Sequence, residues 1–88
     1  MPRLLVYTAR DCRLCTYARA LAAVMGSRFP TVEVDVIDID DPAVQVPAHV
    51  FAVPTFVLDG RVVSVGNPAP EEIQRALAEA VRHADRDC

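Results

Sequence analysis

The sequence of 88 residues predicts one α/β domain with a mixed four-stranded sheet and helices on both faces, in the order β-α-β-α-β-β-α. Two observations indicate this fold class. An apolar run at residues 4–6 precedes apolar residues at helical spacing and then an alternating strand, so the chain starts with a parallel strand-helix-strand unit. Later, two strand-like runs flank Asp59-Gly60, a dipeptide typical of the tight turn in a hairpin.

The first half contains three predicted elements. Residues 4–6 are consecutively apolar, as in a strand buried on both faces. From Cys12 onward apolar residues recur at helical spacing as far as Gly26-Ser27, and Asp11 is the expected N-cap. The next strand alternates Val with acidic residues until the pattern changes phase at Val36-Ile37, where we expect a bulge or the strand's end.

The second half contains the remaining four elements. Asp40-Asp41-Pro42 predicts the start of a second helix, with an acid at the cap and Pro at the first helical position, and Pro47 keeps this helix short. Thr55–Leu58 and Arg61–Val65 are the two strands of the hairpin. Pro70 opens the last helix, whose C-terminal cations suit the helix dipole.

Composition excludes several classes of function. The net charge is -3 and no basic run is present, which argues against nucleic acid as a partner. No apolar stretch approaches the ~18 residues of a membrane span, and the N-terminus lacks the apolar core of a signal peptide. We therefore expect a soluble, cytoplasmic monomer. Residues 1–84 are the predicted domain, and residues 85–88 a flexible tail whose Cys88 cannot easily join the other two thiols.

The most informative motif is Cys12-Arg13-Leu14-Cys15 at the start of the first helix. Cytoplasmic thiols are kept reduced, so a close pair there is catalytic or metal-binding more often than structural, although two inert cysteines on a helix would give the same spacing. Amide groups and the helix dipole would stabilise a thiolate at Cys12, lowering the thiol pKa from ~8.5 toward ~3.5–7.5, and Arg10 and Arg13 would add to this effect. Cys12 is then the nucleophile and Cys15 the resolving thiol.

The second motif is Val53-Pro54-Thr55, where Pro stands at the start of a strand. Pro cannot donate to a strand ladder, so this position is unusual. A cis bond there would turn the chain sharply and free backbone groups for an extended peptide or thiol ligand, although trans is the commoner state of X–Pro bonds.

Taken in order, these motifs resemble the thioredoxin superfamily, and most closely its short glutaredoxin-like branch. The resemblance runs from Leu4 to Val81 and includes Val65-Gly66 before the last helix. It implies the thioredoxin fold, a cis peptide before Pro54, and pairing of the Val53 backbone with bound substrate. The substrate-binding residues that it implies, together with the two cations above, are Val53, Pro54, Thr55, Gly66, Arg10 and Arg13.

The sequence also departs from the better-known members of that superfamily. Arg13-Leu14 replaces the Gly-Pro of thioredoxins and the Pro-Tyr of glutaredoxins. These two residues help set the reduction potential, so the sequence does not predict its value. Val6 stands where thioredoxins have a buried Asp that assists the second thiol. Ala9 and the segment from Gly66 to Pro70 replace the glutathione-binding Lys and Gly-Gly-x-x-Asp of glutaredoxins, and Arg10 is the candidate substitute cation.

The predicted function is a thiol-disulfide oxidoreductase whose Cys12/Cys15 dithiol reduces or exchanges disulfides of protein or small-molecule thiol substrates. No bound cofactor or metal is expected, and the sequence leaves open whether glutathione or a reductase recycles the dithiol. One alternative is metal or iron–sulfur binding through a Cys-bridged dimer, since one pair supplies only two of four ligands. Another is a non-catalytic module that binds a partner in the groove around Pro54.

Overall fold

The computed structural model describes residues 1–86, which form a four-stranded sheet and two helices. The elements are β1 (Arg3–Thr8), α1 (Arg13–Arg28), β2 (Glu33–Asp38), β3 (Thr55–Leu58), β4 (Arg61–Val65) and α2 (Pro70–Arg86). The strands lie in the order β2-β1-β3-β4, with β1 parallel to β2 and antiparallel to β3, and β3 antiparallel to β4. The predicted mixed sheet is confirmed.

Both helices pack on the same face of the sheet. Side chains alternate between the two faces of a strand, and β1 directs Leu4 and Val6, both fully buried, toward the helices. These two residues share one core with α1 and α2, whose buried contributions are Ala18, Leu21, Ala22, Met25, Ile73 and Leu77. The prediction of helices on both faces was therefore wrong.

The opposite face is covered by the loop between β2 and β3. Val50 of this loop is buried together with Tyr7 and Val57, and Ile37 and Ile39 pack against them. Apolar side chains of this loop, Ile39 and Val50, therefore form a second, smaller cluster with those of the strands. The chain thus has two layers of secondary structure, with irregular chain on the second face.

The predicted helix after Asp40-Asp41-Pro42 is absent from the described residues, so the order is β-α-β-β-β-α. Isolated turns replace it: the amide of Val44 donates to the Asp41 carbonyl at 3.0 Å, and that of Val50 to the Pro47 carbonyl at 3.0 Å. Pro47 lacks an amide hydrogen and disfavours the helical conformation in the residue before it. About one turn remains after Pro42, which is too short to offset the cost of nucleation.

Two element boundaries differ from those that the sequence predicts. β2 continues through Val36-Ile37 to Asp38 with unbroken register against β1, so the phase change contains no bulge. The phase change marks instead the point where the apolar side chains of β2 switch from one face of the sheet to the other. Val34 packs against the helices, and Ile37 packs on the opposite face. At the other end of the chain, α2 extends to Arg86 and includes two residues of the predicted tail, whereas residues 87–88 lie outside the described residues.

The hairpin forms as predicted. Asp59 and Gly60 have φ of 49° and 84°, the two positive values that a type I′ turn requires. The register of β3 and β4 shifts between Phe56 and Val57, where β4 contains one extra residue. No helix within the described residues is long and apolar enough to cross a membrane.

Candidate active site

The cysteine pair lies at the N-terminus of α1, just beyond the end of β1. Cys12, not Asp11, is the N-cap, with extended backbone angles of φ -130° and ψ 106°. Cys12 is partly exposed, whereas Cys15 is fully buried. The two form a disulfide with a Cα–Cα distance of 5.2 Å. The accessible sulfur is therefore that of the first cysteine, in the arrangement that the sequence predicts.

Backbone hydrogen bonding around the first sulfur favours negative charge. The amide of Cys15 donates to Cys12 Sγ at 3.1 Å, in the position of a capping bond at a helix start. The first turn of α1 contains no acidic residue that would oppose a thiolate. In the reduced protein, the same amide and the positive end of the helix dipole would stabilise a Cys12 thiolate.

The proline loop reaches the same end of the sheet. The Val53–Pro54 peptide bond is cis, as the resemblance implies. Thr55 pairs with Tyr7 near the end of β1, and with Val65 at the end of β4, so the start of β3 lies beside the chain that leads into Cys12. Pro54 and Thr55 are buried, whereas Val53 is half-buried.

Gly66 and Asn67 connect this loop to the cysteine turn. The amide of Gly66, which has φ of 85°, donates to the Pro54 carbonyl at 2.8 Å. The Asn67 side chain donates from Nδ2 to the Leu14 carbonyl, between the two cysteines, at 3.0 Å. Sequence reasoning identified Gly66 but treated Asn67 only as part of the segment from Gly66 to Pro70 that replaces the glutathione-binding segment of glutaredoxins. The one local signal was its position directly after that glycine.

The two candidate cations occupy different environments. Arg10 donates from Nε to Asp38 Oδ2 at 3.2 Å, and its backbone amide donates to Asp40 Oδ2 at 2.9 Å. The Asp40 amide, at 2.8 Å from Asp38 Oδ1, holds the pKa of Asp38 below its usual value; desolvation partly opposes this, and Arg10 adds to it. The Arg10 charge is therefore partly neutralised by its ion pair with Asp38. Arg13, in contrast, is exposed on the first turn of α1.

Three exposed apolar side chains belong to the segments that form the site, and sequence reasoning missed their role. Leu14 between the cysteines is 56% exposed, Phe51 in the proline loop is 80% exposed, and Val65 opposite Thr55 is 50% exposed. We call Leu14, Phe51 and Val65 the apolar rim. Exposed apolar groups grouped at one place on a surface are typical of sites that bind a partner. An aromatic residue three positions before Pro54 was the signal in the sequence.

Cys15 is buried in a part of the chain, residues 1–86, that buries no charged side chain. The buried polar side chains there are Thr8 and Thr55, and the Thr8 hydroxyl donates to a backbone carbonyl. Val6, at the position where thioredoxins have an acid, is fully buried in the apolar core. Residues 1–86 therefore contain no buried carboxylate that could accept a proton from Cys15.

One cavity of the structure lies away from the cysteines. It measures about 980 Å³ and lies at the opposite end of the sheet, between α2 and the turn that joins β3 to β4, where Asp59, Arg61 and His83 contribute to its wall. Among residues 1–86, no three His, Cys, Asp or Glu side chains are grouped so that they could hold a metal ion. Neither Cys12 nor Cys15 lines this cavity.

Known proteins resemble this chain over most of its length. Mitochondrial thioredoxin 3 from Saccharomyces cerevisiae, in its oxidized form, matches with a TM-score of 0.71 and 23% sequence identity, over 89% of this chain and 77% of that chain. Fasciola hepatica thioredoxin matches with a TM-score of 0.71 and 22% identity, over 89% and 79%. A chain from a structure of thiol resolution in yeast mitochondrial 1-Cys peroxiredoxin via glutathione/thioredoxin systems gives 0.72 and 22%, over 89% and 77%.

Identities this low establish the fold alone. No curated protein sequence matches this chain. The family profile described as a thioredoxin domain matches residues 3–78, which include both cysteines, the cis-proline loop and Gly66. Because that match spans most of the sequence, the chain belongs to the thioredoxin domain family.

Proposed function

We propose that this protein is a thiol-disulfide oxidoreductase that uses the Cys12/Cys15 dithiol to reduce or exchange disulfides. One observation carries the proposal: the partly exposed Cys12 sulfur accepts the Cys15 amide at 3.1 Å at a helix N-terminus, while Cys15 is buried three residues later. A nucleophile that a substrate can reach and a resolving thiol that it cannot reach give the reaction its order.

The reaction balances with two electrons and needs no bound cofactor. The Cys12 thiolate attacks one sulfur of a substrate disulfide, so a mixed disulfide forms and the other substrate sulfur leaves as a thiolate. Cys15 then loses its proton and attacks Cys12 Sγ, closing the 5.2 Å Cα–Cα pair and releasing the second substrate thiolate. The protein is oxidised and the substrate disulfide is reduced to two thiols.

We infer that the substrate is a disulfide in an extended, partly apolar segment of protein chain. The half-buried Val53, before Pro54, offers backbone groups at the same end of the sheet as Cys12, and such a segment could pair with them as an added strand. The apolar rim would bury flanking side chains of that segment. Arg13, exposed on the first turn of α1, would favour acidic neighbours over basic ones.

Recycling requires a second thiol donor, either glutathione or a reductase. Arg10 would be the cation for a glutathione carboxylate, but its Nε already contacts Asp38 at 3.2 Å. This contact favours a protein reductase as the donor. A cytoplasmic location would suit the reaction, because that compartment keeps thiols reduced.

Paired cysteine variants test the proposal. In a Cys88→Ser background, Cys12→Ser should abolish reduction of a protein disulfide, and Cys15→Ser should accumulate a mixed disulfide at Cys12 that mass spectrometry detects. Purified glutathione and a thioredoxin reductase, each supplied as the sole electron donor, would identify the recycling route. Turnover by the wild type no faster than by the Cys12→Ser/Cys15→Ser variant would overturn the proposal, and unchanged partner affinity in Cys12→Ser would then favour a binding module.

A further inference from the structure

Three polar groups lie in series between the loop after β4 and the Cys12 sulfur. Asn67 Nδ2 donates to the Leu14 carbonyl at 3.0 Å. That carbonyl belongs to the same peptide unit as the amide of Cys15. The Cys15 amide in turn is shared between two acceptors of Cys12, donating to its Sγ at 3.1 Å and to its carbonyl oxygen at 3.2 Å. One planar peptide therefore accepts a hydrogen bond at its oxygen and gives one from its nitrogen.

We propose that Asn67 is a positioning residue that strengthens the hydrogen bond on the Cys12 sulfur through the Leu14–Cys15 peptide. Hydrogen bonds in series polarise one another, so a donor at the carbonyl makes the amide of the same peptide a better donor. The effect is larger for the thiolate than for the thiol, because a charged acceptor binds an amide more strongly. Asn67 thus raises the thiolate fraction of Cys12 without touching it.

The surroundings of Asn67 hold its side chain in this position. On one side the Gly66 amide is bound to the Pro54 carbonyl at 2.8 Å, and on the other Pro68 is buried. A proline has a fixed φ, so the backbone around Asn67 has little freedom. The side chain is held by its neighbours over the cysteine turn.

The Leu14 carbonyl does not need Asn67 as a hydrogen-bond donor. As a residue near the start of α1, Leu14 has a carbonyl that the amide of the next helical turn can reach, and a carbonyl oxygen has two lone pairs. Asn67 itself is exposed, so its amide group could equally bind water. The bond joins the loop after β4 to α1, and it also acts on the peptide whose amide donates to the Cys12 sulfur.

The inference rests on the proposed function only in requiring a Cys12 thiolate. It is tested by the pH profile of Cys12 alkylation by iodoacetamide in the reduced full-length protein, with the modified cysteine identified by mass spectrometry. Asn67→Ala removes the donor. Asn67→Asp keeps the shape, replaces the donor by an acceptor and adds a negative charge. Gln74→Ala is the control, because it removes a side-chain bond of similar length, 2.8 Å to Arg28, at the other end of α1.

We expect Asn67→Ala to raise the midpoint of the profile by about 0.1–0.7 pH units, since each bond in series gains about a tenth to three tenths of a charge-assisted hydrogen bond. The alkylation rate below the midpoint would then fall by about 1.3- to 5-fold. Asn67→Asp should raise the midpoint further, and Gln74→Ala should leave it unchanged. Thermal melts of each variant would confirm that all are folded.

The outcomes separate the two proposals. A wild-type midpoint near that of an ordinary thiol, ~8.5, would remove the thiolate on which both depend. A lowered wild-type midpoint that neither Asn67 variant moves would overturn the role of Asn67 and leave the oxidoreductase intact. A midpoint that Gln74→Ala raises as much as Asn67→Ala would also overturn it, because the effect would then come from helix stability.

Discussion

The amide of Gly66 donates to the carbonyl of Pro54 at 2.8 Å, one residue beyond the last pair of β3 and β4. This bond continues the pairing of the two strands past Thr55 and Val65 into the loops that follow. Gly66 reaches it with φ of 85°, in the left-handed region. The proline loop is therefore held by the segment that joins β4 to α2. This contact depends on a backbone conformation that glycine adopts without strain.

We predict that Gly66→Ala destabilises the protein. A Cβ there would meet no atom within 4 Å, so the loss comes from backbone strain and not from a clash. An L-residue in the left-handed region costs about 1–2 kcal/mol, and the free energy of unfolding in urea should fall by about that amount. Disulfide reduction should slow as well, since the same loop positions Pro54 and Asn67.

Gly26→Ala should have the opposite sign and serves as the matched glycine control. Gly26 lies inside α1, where its missing side chain gives the unfolded chain extra freedom. A Cβ would lie 3.8 Å from Val34 Cβ, at ordinary contact distance. We expect the free energy of unfolding to rise by about 0.5–1 kcal/mol, with unchanged activity. If both glycine variants lost stability equally, the strain assigned to Gly66 would be wrong.

The elements that sequence predicted correctly have local signals. Asp59-Gly60 specifies its turn by the conformations that those two residues tolerate, and the alternation of apolar residues specifies the flanking strands. The segment after Asp40 also has local signals, a cap and a proline at the start of a helix. These were overridden because Pro47 left too few residues between the two prolines for a stable helix.

The residues of the site that belong to short motifs were predictable from the sequence, and its long-range contact was not. Cys12, Cys15 and Pro54 each belong to a short motif, and the β-hairpin and the parallel pair bring them to one end of the sheet. The bond from Asn67 to Leu14 joins residues 53 positions apart and depends on the exact path of the loop after β4. Neither composition nor periodicity encodes such a contact. The single face occupied by both helices likewise depends on packing and not on any local pattern.

The acid dependence of stability should depend on Asp38. Its pKa is lowered in the folded protein by the Asp40 amide and, to a lesser extent, by Arg10. A lowered folded pKa stabilises the protein above the unfolded value of about 3.9, and this stabilisation is lost as pH falls through the folded pKa. Asp38→Asn should therefore be less stable than the wild type at pH 7, and the difference should shrink below about pH 4.

Urea unfolding at pH 7 and pH 3 measures this difference. Arg10→Gln is the internal control, because it leaves the Asp40 amide in place at 2.8 Å and should remove only part of the effect. A gap between the wild type and Asp38→Asn that stayed constant with pH would show that Asp38 contributes through shape alone.

Phe51 should determine preference for protein substrates over small disulfides. It is 80% exposed, so Phe51→Ser should leave the free energy of unfolding nearly unchanged. Covering about half of a Phe side chain on binding is worth about 1 kcal/mol, so kcat/KM for a protein disulfide should fall about 5-fold. A small aromatic disulfide, too short to reach the rim, should be reduced at the wild-type rate. Val62→Ser, at a 40% exposed apolar residue near the other end of the sheet, should change neither rate. Equal losses of kcat/KM on both substrates would instead show that Phe51 supports the structure around Cys12.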